Sequence, residues 1–149
     1  MNWEERLAHT RAALDPVRIL EGNWTGDGQA HGEPVTAHMS VRSILDGSMM
    51  EVWETVGDHT DLSIYRFELE TGQHHVLHLM SGATVNEYPV ELTLDGLVWI
   101  TPPTVPSVEW RVQGEILACE VIWPGQRVAE VSIRYRRDTI AGSAGANAR

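Results

Sequence analysis

From Trp24 to the last few residues the chain repeats one pattern: short runs in which apolar and polar residues alternate, each closed by a turn-forming pair. Val35, Ala37, Met39 and Val41 interleave with Thr36, His38, Ser40 and Arg42. Similar runs cover 48–54, 62–69, 75–80, 116–123 and 128–136, and in the second of these Tyr65 and Phe67 share a face. Asp46-Gly47, Thr71-Gly72, Ser81-Gly82, Asp95-Gly96, Gln113-Gly114 and Pro124-Gly125 punctuate them. The pattern predicts about nine to eleven short antiparallel strands with almost no later helix, an all-β sandwich or barrel. Ile116 to Trp123 is apolar on both faces, so one face is expected in a cavity and the other under a plug or a partner.

The first 21 residues have a different period. Trp3, Leu7 and Leu14 recur at spacings of four and seven, with Glu4, Glu5, Arg6 and Arg11 elsewhere, which predicts a helix over 3–14. Asp15-Pro16 then suits the start of a short second turn, with Val17 and Leu20 packing inward and Gly22 as the exit. These residues read as a helical plug (1–21) on a barrel (22–137), one domain in all. The tail 138–149 is small and polar and is expected to be disordered.

Charge narrows the partners. The net charge of −10 repels phosphate backbones and anionic lipid, so neither nucleic acid nor a membrane is expected as a partner. All 11 basic residues are arginine, and without lysine there is neither Schiff-base chemistry nor a P-loop. The single cysteine, Cys119, excludes an internal disulfide and suits a reducing compartment. The N-terminus lacks a secretory pattern and no apolar run approaches bilayer length, so a cytoplasmic location is expected.

One stretch carries a resemblance. Gly22-Asn23-Trp24 opens the strands, and Arg134-Tyr135-Arg136-Arg137 closes them. This arrangement resembles the calycin superfamily of lipocalins and fatty-acid-binding proteins, in which an arginine near the end of the last strand lies across the tryptophan. Leu20-Glu21-Gly22-Asn23-Trp24-Thr25-Gly26-Asp27-Gly28 is most similar to the opening of bacterial lipocalin-like domains of unassigned function, and Tyr135-Arg136-Arg137 to their ending. It is more distantly similar to nitrobindin-like haem proteins, but no histidine follows His78 to serve as their C-terminal haem ligand. The resemblance implies a closed or nearly closed up-and-down barrel of about ten strands with a hollow centre, and Trp24 as its closure residue.

Several residues could line or serve that hollow. Trp53, Trp99, Trp110 and Trp123, with Tyr65, offer wide flat walls, and Arg111, Arg134 or Glu51 would meet a polar end. In fatty-acid-binding relatives an arginine and a tyrosine of the last strand point inward together. Arg134 and Tyr135 are adjacent and face opposite ways, leaving only Arg134 or Arg136 for that role. Glu51, between Met49 and Trp53, and Glu120, among Ala118 and Ile122, are carboxylates on apolar faces and so need partners or a function. His74 and His78 share a strand face, with His75 on the other. Four residues of strand separate the first two by roughly 13 Å, too far to chelate one ion, so no metal site is expected. Cys119 reads as a buried, inert thiol.

The resemblance therefore implies binding of a small, largely apolar molecule in the barrel, with no cofactor. The alternative is an isomerase, cyclase or hydrolase in the same barrel, drawing its acid and base from His38, Glu51, His78 and Glu120. The two-sided apolar strands also leave surface for a homodimer.

Overall fold

The computed structural model describes residues 1–139. The expected tail beyond Thr139 lies outside the described residues, but Asp138 is tied down: its N–H donates to Asn23 O and its carboxylate accepts from Thr25 Oγ1. A helix α1 (Trp3–Arg18) precedes ten strands: β1 (Gly22–Ala30), β2 (Glu33–Ile44), β3 (Met49–Val56), β4 (His59–Glu68), β5 (Gln73–Met80), β6 (Thr84–Leu92), β7 (Gly96–Trp99), β8 (Ser107–Gln113), β9 (Ile116–Ile122) and β10 (Val131–Arg137). Each strand pairs antiparallel with the next, and β10 pairs with β1, closing the barrel. This is the expected all-β up-and-down barrel, and it is consistent with a calycin-like fold.

Closure depends on glycines of β1. Trp24, Gly26 and Gly28 face inward opposite Arg137, Tyr135 and Ile133. A Cβ on Gly28 would stand 1.9 Å from Ser132 O, and one on Gly26 would stand 2.8 Å from both Arg134 O and the Tyr135 ring. The alternating glycines therefore let β10 approach β1 closely enough to complete the ladder.

The helix caps one end. Asn2 and Glu5 form a reciprocal capping box at its start, and the helix runs through Pro16 instead of restarting there. Leu14 and Val17, both essentially inaccessible, anchor that last turn against the barrel core with Leu20 and Trp24. Trp3, expected on the packing side, is 70% exposed, so only the second half of the apolar stripe is used. Arg137 stacks over Trp24 at 4.2 Å and donates to the carbonyls of Ile19 and Glu21, while the Trp24 indole N–H donates to Leu20 O. The expected closure is thus made by Arg137. Arg11 to Asp46 O, Arg6 to Glu70 and His74 to Ala13 O hold the helix to the turns at the same end.

On the outer face Trp53, Leu62, Leu79 and Val85 sit side by side in register across β3 to β6. On β9 the outward Ala118 is 6% exposed, flanked in register by Arg111 and Arg134. The second apolar face of this strand therefore lies between arginine side chains and not beneath the helix. Among the described residues, no helix is long and apolar enough to cross a membrane.

Candidate functional site

With the helix at one end, the turns β1–β2, β3–β4, β5–β6, β7–β8 and β9–β10 surround the other, and from there a cavity of about 640 Å³ enters the barrel. Val52, Val56, Val108, Val121 and Ile133 make its apolar wall. Tyr88, Trp99 and Trp110 add an aromatic side, with Tyr88 and Trp99 stacked at 6.1 Å. The Trp99 indole N–H donates to Tyr65 Oη at 2.9 Å, which fixes the ring from behind. Burial raises the Tyr65 pKa, so that hydroxyl stays protonated. Trp110 is 4% exposed, and its indole N–H, though it makes no aligned hydrogen bond, lies close enough to the Tyr65 hydroxyl to act on it.

Polar groups meet these walls. Met50, Val52 and Glu54 share the inward face of β3, and Tyr135 of β10 donates its O–H to Glu54 Oε2 at 2.5 Å. Removal from water pushes the Glu54 carboxyl up to about 7; the Tyr135 hydrogen bond opposes the rise, the Asp61 charge adds to it, and His78 and His59 resist it. Burial first, and then Glu54, push the Tyr135 phenol up, so it remains a donor. On β4 and β5, Asp61 stands between two imidazoles: His59 Nε2 is 2.8 Å from its Oδ1, and His78 Nε2 is 3.4 Å from its Oδ2. The buried Oδ1 nevertheless receives no aligned hydrogen bond. His78 meets Trp99 edge-on at 5.0 Å. At the mouth, His31 lies 3.0 Å from Glu130, which also accepts from the Trp123 indole at 2.8 Å.

The structure brings His78, Trp99 and Trp110 together in the cavity, with Tyr65 behind them. Trp123 stands at the rim against Glu130. The other expected residues lie on the outside. Trp53 is 44% exposed, and Glu51 pairs with Arg42 across the outer surface, a hydrogen bond that lowers its pKa. Arg111 bridges Glu109 and Glu120, Arg134 donates to Gln113, and His38 is exposed. Of the last strand's polar residues it is Tyr135 that points inward, while Arg134 and Arg136 point out. Their placement follows from strand parity, since each neighbours an inward residue: Val52, Trp110, Cys119, Ala37 or Tyr135.

The expected division of the histidines holds: His74 and His78 face in, His75 faces out beside Arg66, Glu68 and Glu87. Cys119 is buried on the cavity wall, and desolvation raises its thiol pKa well above the ordinary value. No grouping of histidine, cysteine and carboxylates suited to a metal ion occurs among the described residues.

Glu54, Asp61, His59 and Tyr135 are the functional candidates that sequence reasoning passed over. Their signal was present: Glu54 interrupts the face Met50, Val52, Glu54 just as Glu51 interrupts Met49, Glu51, Trp53. The second face carries the larger aromatic and looks more like an interior.

No protein-family model matches this chain, and no curated protein sequence matches it.

Proposed function

We propose that this protein binds a small, largely apolar molecule inside the barrel, entering at the end opposite the helix. The observation that carries the reading is the cavity of about 640 Å³, whose valine, isoleucine and aromatic walls converge on one polar cluster, Glu54, Asp61, His78 and Tyr135. Apolar walls supply affinity through burial, and a few fixed polar groups set orientation. Membership of the calycin superfamily belongs to the same proposal, supported by the closed barrel, the N-terminal helix and the Trp24–Arg137 stack.

A second reading, acid–base catalysis in the same cavity, is favoured by one feature: the Glu54 carboxyl is pushed to about 7, where it can give or take a proton near neutrality, with the Tyr135 hydroxyl bonded to it. Here His78 and Glu54 replace His38, Glu51 and Glu120 as the groups in reach of a bound molecule.

The test is fluorescence titration with the neutral apolar dye N-phenyl-1-naphthylamine. Saturable enhancement by the wild-type protein, lost in a folded Val108→Trp variant whose indole fills the cavity, supports binding inside the barrel. Equal enhancement by both proteins contradicts it.

A further inference from the structure

Carboxylates and histidines line the cavity, with no guanidinium or ammonium among them. Four carboxylates line it, Glu54, Asp58, Asp61 and Glu130, against three histidines, His31, His59 and His78. No arginine lines it, and the chain has no lysine. The arginines Arg42, Arg66, Arg111 and Arg134 pair with partners on the outer surface, and Arg137 covers Trp24 at the far end. An anionic ligand head would therefore meet carboxylates with no fixed cation to receive it, and desolvation would oppose its entry. Asp61 Oδ1, buried and 2.8 Å from His59 Nε2, receives no aligned hydrogen bond and can still accept one from a bound molecule. Buried polar groups left unmatched by the protein are costly, and a bound molecule can match them. The aromatic side built by Tyr88, Trp99 and Trp110 presents π-electron density, which attracts positive charge. The net charge of −10 draws cations toward the protein from a distance.

We infer that the molecule taken up is a small organic cation: an amine with an apolar body, its ammonium received by Glu54 and Asp61. This rests on the cavity-binding reading and names the class of molecule that reading leaves open. Around the ammonium, Tyr135 already donates to Glu54, and His59 and His78 stand against Asp61.

The experiment compares three probes with one hydrocarbon body, 4-phenylbutylamine, 4-phenylbutanol and 4-phenylbutyrate, by isothermal titration calorimetry at pH 8. N-Phenyl-1-naphthylamine is the reference ligand for the cavity. The expected result is amine affinity at least about tenfold above that of the alcohol and the carboxylate, the scale of one charge-assisted hydrogen bond. Glu54→Gln and Asp61→Asn should each bring the amine-to-alcohol ratio toward one; should either variant fail to fold by circular dichroism, the other carries the test. Alcohol or carboxylate binding as tightly as the amine overturns the cation assignment while the cavity reading stands. An amine preference that persists in the folded variants overturns the assignment to Glu54 and Asp61. Failure of all three probes, with the dye also unbound, overturns both readings.

Discussion

Replacing Glu54 by glutamine should make the protein more stable above pH 7 while changing little below pH 5. The Glu54 carboxyl moves from an ordinary 4.5 to about 7 on folding. At about 1.4 kcal/mol per pH unit, that displacement costs roughly 3 kcal/mol once the group must be ionised. Water in the open cavity tempers this, so about 2 kcal/mol is the working figure. The sign follows from proton counts. Below about 4.5 the group is protonated in both folded and unfolded chains and costs nothing. Between about 4.5 and 7 the folded protein holds one more proton, so stability falls as pH rises. Above 7 the full penalty remains. The glutamine amide keeps an acceptor for the Tyr135 hydroxyl and does not titrate, so the variant avoids the loss. Urea unfolding of both proteins at pH 4.5, 5.5, 6.5, 7.5 and 8.5 measures it, and taking the difference cancels most other titrations. A gain in relative stability of about 2 kcal/mol across the series is expected. Parallel curves would refute the claim that this carboxylate is held in a desolvated interior.

Three other outcomes test the frame around the site. Gly28→Ala should destabilise by about 2 kcal/mol or more in urea unfolding, because the new methyl meets the Ser132 carbonyl at 1.9 Å and β10 must move from β1. Arg137→Ala should cost about 1–3 kcal/mol by losing the stack on Trp24 and the bonds to Ile19 and Glu21, and should shift the tryptophan emission. The Cys119 thiol should resist Ellman's reagent in the native protein and react within minutes in denaturant, since burial raises its pKa and hides it.

The architecture was legible because a closed barrel writes itself in turns and alternation. The dipeptides at 46–47, 71–72 and 113–114 marked hairpins that the structure contains, and Gly22-x-Trp24 with the C-terminal arginines marked the seam. The cavity's polar groups were less legible because alternation fixes which residues share a face without fixing which face is inside. On β3 the alternation offers two faces, Met49, Glu51, Trp53 and Met50, Val52, Glu54, and a one-residue shift exchanges them. Trp53 is accommodated outside by Leu62 beside it, a neighbour that only the strand register supplies. Asp61 and His59 sit at a strand start, where the alternating pattern has barely begun, and their meeting with His78 comes from pairing β4 with β5. Tyr135 was set aside in favour of Arg134 on the strength of an analogy to a ligand carboxylate, whereas the interior of this barrel is itself acidic.

The most direct test of the central claim is a crystal structure of the protein soaked with N-phenyl-1-naphthylamine. The dye is expected inside the barrel, against Trp99 and Val108 and within reach of Glu54. Dye found on the outer patch around Trp53, with side chains filling the barrel interior, would contradict it.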